Sequence, residues 1–172
     1  MTTSVTTTDV QHAQTVLSSP ALIRLISEID DNGPLPPRAL TRTLADVPEE
    51  HLRHCADQAR ALGLVHVQPG AGLSLTASGE ELADVYDALA RWARRHSYPA
   101  PVCDFTGRIQ HTLALLAQPP AGPSKGDPRR RADGVPGSAE DGADFVRLSR
   151  LFQEWLRTNP QVVGVADPEA AA

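Results

Sequence analysis

Lysine is almost absent from this chain. Of its 16 basic residues only Lys125 is a lysine, and 21 acidic residues leave the 172-residue chain with a net charge of -5. That balance excludes a protein that grips nucleic acid over its whole surface, so any such role must come from a local patch. Aromatics are scarce at 4%. Two cysteines, Cys55 and Cys103, exclude a disulfide framework and a four-thiolate zinc site. No stretch approaches the roughly 18 uninterrupted apolar residues of a membrane span. The first ten residues are threonine-rich, with neither a basic start nor an apolar core, so a cytoplasmic protein is expected. Glycine-rich phosphate loops, nucleophile elbows and convergent carboxylate pairs are missing, so neither an enzyme nor a cofactor is expected.

What is present is apolar periodicity. After a tail over 1–8, Asp9 can cap a short helix to Leu17. Ser19-Pro20 restarts a helix with the apolar face Leu22, Ile23, Leu25, Ile26 and Ile29, and Asn32-Gly33 stops it. Leu35, between two prolines, is an edge-strand fragment at most. Pro37 opens a short helix through Leu40 and Leu44. A third helix over 48–62 turns Leu52, Ala56, Ala59 and Leu62 inward and ends at Gly63. A hairpin over 64–75 turns at Gly70. Thr76 then caps a long helix to about His96, with Leu82, Val85, Leu89 and Trp92 on one face. This order predicts a mainly α fold: a winged helix-turn-helix with a small β-hairpin wing plus long dimerisation helices.

In that fold the helix 48–62 is the recognition helix and the hairpin 64–75 the wing. Double-stranded DNA is the expected partner. The expected contacts are Arg38 and Arg42 from the preceding helix, with Glu50, His51, Arg53, His54 and Asp57 from the recognition helix. The plain alternative is a solvated helix face. Four arginines between Gly33 and Leu75 are balanced by Asp46, Glu49, Glu50 and Asp57, and the wing from Gln68 to Ser74 has no charge. Phosphate neutralisation supplies most of the affinity of such proteins. A second function class therefore stands beside the first: a winged-helix scaffold that has lost DNA binding and acts through a protein partner or a small molecule. His51, His54 and Cys55 share metal-ligand spacing, but no second cluster completes a site, so no metal is expected.

Four segments stand out together: Leu25-Ile26-Ser27-Glu28 through Asn32-Gly33-Pro34; Leu52 followed by Ala61-Leu62-Gly63-Leu64-Val65; Ser74-Leu75-Thr76 with Gly79 and Leu82; and Leu89-Ala90-Arg91-Trp92 leading to His96. In these the stretch from Leu22 to His96 resembles the HxlR-type winged-helix regulators and, more loosely, the MarR group. The resemblance implies a cytoplasmic transcription factor that dimerises through its terminal helices and reads DNA with its third helix. The chain departs from that family in holding Ser18-Ser19-Pro20 where Gly-Lys-Trp is usual, and in lacking an N-terminal cysteine.

The chain also repeats itself. Val10-Gln11-His12 and Leu17 recur 99 residues later as Ile109-Gln110-His111 and Leu116. Gly79, Leu82, Val85, Leu89, Trp92 and Arg94 recur 63 residues later as Gly142, Phe145, Leu148, Phe152, Trp155 and Arg157. The economical reading is a degenerate tandem whose second copy kept its terminal helices and lost the DNA-reading middle. The expected units are a winged-helix domain over 9–100, an extra helix over 101–118 and a disordered linker over 119–141. An amphipathic helix over 142–158 and a tail over 159–172 follow. Leu82, Val85, Leu89, Trp92, Phe145, Leu148, Phe152 and Trp155 form the expected interface, either of a homodimer or of an intramolecular pseudo-dimer. The arrangement leaves room for a small-molecule effector.

Overall fold

The computed structural model describes residues 5–118 and 139–164. Over these residues the chain is mainly helical with one two-stranded antiparallel hairpin. Among the described residues no helix is long and apolar enough to cross a membrane.

Helix α1 (Thr7–Leu17) begins three residues earlier than the sequence suggests. Thr6, not Asp9, is its N-cap: the Thr6 hydroxyl accepts from the Asp9 backbone N–H, and the Asp9 carboxylate accepts from the Thr6 N–H. That reciprocal capping box satisfies two of the donors a helix start leaves orphaned, and it pulls part of the expected 1–8 tail into ordered structure. Helix α2 (Pro20–Asn32) buries Leu22, Ile23, Leu25, Ile26 and Ile29. It ends where Gly33 adopts a φ of 81°, which costs a residue without a Cβ little.

Helix α3 (Pro37–Thr43) and helix α4 (Glu49–Ala61) follow. Leu52, Cys55, Ala56 and Ala59 form the inner stripe of α4. Strands β1 (Val65–Gln68) and β2 (Gly72–Leu75) pair in the register Val65–Leu75 to Gln68–Gly72. Leu35 lies on the other edge of β2 and exchanges both backbone hydrogen bonds with Leu73, at 2.8 and 2.9 Å. The edge fragment is therefore present, although two flanking prolines keep it to one residue.

Helix α5 (Ala77–Arg95) is the spine of the molecule. Thr76 caps it through the Gly79 N–H at 3.2 Å and also donates to the Gly63 carbonyl. Its stripe of Leu82, Val85, Leu89 and Trp92 is buried, and so is Tyr86. The Tyr86 hydroxyl donates to the Leu17 carbonyl at 2.7 Å, which ties α1 to α5. Complete burial pushes the ionisation of Tyr86 well above the usual range for tyrosine. Burial likewise pushes the Cys55 thiol up to about 11. From about pH 9 for Cys55 and pH 10 for Tyr86 the unfolded chain therefore sheds protons that the folded chain holds, so stability should fall as pH rises through that range. Tyr86→Phe should flatten the alkaline limb of a thermal-denaturation series while costing about 1 kcal/mol at neutral pH for the lost hydrogen bond.

Helix α6 (Phe105–Leu116) lies across α1 and α5, and α7 (Ala139–Thr158) runs antiparallel to α5. The Trp155 indole N–H donates to the Ser78 carbonyl at 3.2 Å near the start of α5, and Phe145 meets Trp92 near its end. The eight residues of the expected interface lie on these two helices. Phe145 is half-buried and the other seven residues are buried.

Two expected boundaries are corrected. Helix α7 starts at Ala139, so the last residues of the expected 119–141 linker belong to a helix; 119–138 lie outside the described residues. The expected tail over 159–172 begins as structure: Asn159 and Val162 are buried, and the short helix α8 (Pro160–Val163) packs on α1. Asn159 turns its amide back to the Trp155 carbonyl, and Gln161 donates to the Leu62 carbonyl at the end of α4. Residues 165–172 lie outside the described residues.

Candidate nucleic-acid interface

The surface formed by α3, α4 and the hairpin carries all seven residues expected to meet DNA. Arg38 and Arg42 project from α3 and are exposed. On α4 the residues Glu50, His51, Arg53, His54 and Asp57 are all exposed, opposite the buried stripe. The periodicity that buries Leu52, Cys55 and Ala59 leaves these positions no other direction.

Their electrostatics differ from a bare basic face. Arg53 is held by Glu49 one turn earlier, with 2.5 Å between nitrogen and oxygen. Arg60 pairs with Asp57 at 3.5 Å. The α4 arginines thus spend part of their charge on their own helix. Among the described residues Arg38 and Arg42 have no carboxylate partner. They are the free cations of this surface, and both stand on α3 rather than on the expected reading helix. The Glu49–Arg53 spacing of four residues was readable in the sequence as a helix-surface ion pair.

The hairpin contributes His66 and Val67, which are exposed, and a tip from Gln68 to Gly70 that is exposed and uncharged. Ser74, turned inward on β2, donates to the Gln68 side chain at 2.9 Å and fixes the hairpin's shape.

His51 and His54 also face a groove of about 670 Å³. Its walls come from the start of α2 (Ser19, Pro20, Arg24), the α3–α4 turn (Asp46, Val47, Pro48) and the start of α6 (Asp104, Thr106). The Arg24 guanidinium bonds to the Asp46 carboxylate and holds its pKa below the usual carboxylate range. Cys55 lines the floor, 5% exposed. The groove was not readable in the sequence, because its far wall arrives about 50 residues after α4 in the chain. No group of three His, Cys, Asp or Glu able to hold a metal occurs among the described residues.

No family model, curated protein or solved structure matches this chain.

Proposed function

We propose that the chain is a winged-helix regulator that binds double-stranded DNA. In this reading α4 is the recognition helix, β1–β2 the wing and α3 the helix that anchors the phosphate backbone. The observation that supports it best is the arrangement of α2, Leu35, α3, α4, β1 and β2. In it Leu35 adds a one-residue third strand to the hairpin while α4 keeps an exposed polar face beside it. The likeness to the HxlR-type regulators points the same way.

Arg38 and Arg42 take phosphates, because no carboxylate among the described residues competes for them. Arg53, near the start of α4, reaches toward base edges, where recognition helices insert. It must first leave Glu49. Glu49→Gln should therefore raise affinity for mixed-sequence duplex by about two- to fivefold, the range set by an exposed ion pair. Arg53→Ala should weaken binding more than Arg60→Ala, since Arg60 stands at the far end of α4. Fluorescence anisotropy on a labelled duplex reads both effects. Equal behaviour of the two arginine variants would remove α4 from the interface.

A second reading is favoured by the self-paired arginines, the uncharged wing and the groove beside α4. On it, the same scaffold no longer binds DNA and works through a protein partner or a small molecule. Absence of duplex binding by Glu49→Gln at low salt would favour it.

A further inference from the structure

The two repeats noted in the sequence meet in space, and they meet reciprocally. Gln11 of α1 donates its side-chain amide to the Ala117 carbonyl, the C-cap of α6, at 3.4 Å. Gln110 of α6 donates to the Ser18 carbonyl, the C-cap of α1, at 2.8 Å. The offset between the glutamines is 99 residues, and so is the offset between the carbonyls. One bond is the other turned by a twofold. In the helix pair α5 and α7, positions related by the offset of 63 each close their own helix in the same way. His96 closes α5 with its Nδ1 at 2.8 Å from the Trp92 carbonyl, and Asn159 closes α7 by donating to the Trp155 carbonyl at 2.9 Å. Unrelated amphipathic helices would share a stripe, but not the reciprocal polar contacts of α1 and α6.

The differences between the copies are as informative. Gly79 is squeezed by the α2–β2 head: a Cβ there would lie 2.0 Å from the Leu64 carbonyl oxygen. Its counterpart Gly142 has nothing within 4 Å. Ala83 is buried, whereas its counterpart Val146 is 56% exposed. Tyr86 is buried and bonded to Leu17; its counterpart Ser149 lies beside Leu116, the counterpart of Leu17, in a groove of about 290 Å³. Ala90, buried, corresponds to half-buried Gln153. Each of these α7 positions marks where a second head would sit, and Ser149 and Gln153 have become polar there. The twofold is approximate: Trp155 donates to Ser78, while the buried Trp92 indole N–H has no acceptor among the described residues.

We infer that α6, α7 and α8 stand in for a partner subunit, so that the protein works as a monomer with one reading head and recognises a single asymmetric half-site rather than a palindrome. The half-site clause rests on the proposed DNA-binding function; the monomer clause does not. A closed isologous dimer uses one copy of each patch on each subunit. Here both patches are already occupied within one chain, which leaves neither of them open, among the described residues, for a second copy.

Three measurements on the full chain separate the clauses. Sedimentation equilibrium should give a single species of 18.4 kDa at every concentration tried; a concentration-dependent dimer would overturn the inference. Ser149→Tyr should place a phenol against the Leu116 carbonyl, as Tyr86 does against Leu17, and raise the thermal midpoint by about 2–4 °C. A drop, as expected from overpacking a chance helix pair, would overturn the internal twofold. Selection from a random-sequence duplex pool should enrich a motif without dyad symmetry, bound by one chain; a palindrome bound by two would overturn the half-site clause. A pool with no enrichment would overturn the DNA-binding function and with it the half-site clause, while the sedimentation and Ser149→Tyr results still decide the monomer.

Discussion

Trp155→Ala should lower the thermal midpoint of the whole chain by about 6–20 °C, although it touches no residue of the candidate DNA surface. Trp155 is 4% exposed and lies between α7 and the first turn of α5. Removing a buried tryptophan leaves a cavity and typically costs about 3–5 kcal/mol. For a chain of this size each kcal/mol moves the midpoint by about 2–4 °C. The substitution also leaves the Ser78 carbonyl without its indole donor, on the turn that carries the Thr76 cap and follows the hairpin. The loss should therefore reach the hairpin as well as α7. Arg157→Ala, two residues away and exposed, should stay within about 0.5 kcal/mol of the parent. Differential scanning calorimetry measures both. A Trp155→Ala midpoint within 2–3 °C of the parent, about 1 kcal/mol, would mean that α7 is an appendage and not half of the core.

The second large effect separates two glycines that look alike in sequence. Gly79 and Gly142 occupy equivalent places in the two repeats, each three residues before a stripe position. Gly79→Ala would drive a Cβ into the Leu64 carbonyl. That carbonyl accepts the Thr76 N–H at 3.0 Å, so relieving the clash breaks the joint between strand and helix. Overpacking of this kind costs about 1–3 kcal/mol and more where backbone must move, so a loss of about 3 kcal/mol is expected. Gly142→Ala meets open space inside α7, where alanine is the better helix former, and should gain about 0.5–1 kcal/mol. Urea denaturation of the two variants should move the midpoints in opposite directions. Movement in the same direction would contradict a head packed on α5 alone.

Much of the fold was readable because the apolar periods are clean. Thr76 as a cap, Gly63 beyond the end of α4 and the Leu82–Trp92 stripe all follow from local chemistry, and each stands where the sequence places it. Helix α8 was missed because Pro160 to Val163 offers one turn of apolar residues, too short for periodicity to register. The turn is ordered by distant partners: α1 beneath it and Leu62 at the end of α4. The repeats were readable as offsets, but the bonds that make them a pair were not, since Gln11 and Gln110 are ordinary surface residues until α1 and α6 cross. The candidate site shows the same division. Exposure of Arg53, His54 and Asp57 follows from the helical period, whereas the groove that His51 and His54 share with Arg24 and Asp104 depends on where α6 returns.

The most direct test of DNA binding by this head is the salt dependence of duplex binding by the full chain. With Arg38, Arg42 and a released Arg53 on the phosphates, the plot of log affinity against log salt should be linear with a slope of about -2.7. Arg38→Ala should make it about 0.9 shallower. Binding that is absent at low salt, or that is indifferent to salt and unchanged in Arg38→Ala, would contradict a DNA-reading head on this surface.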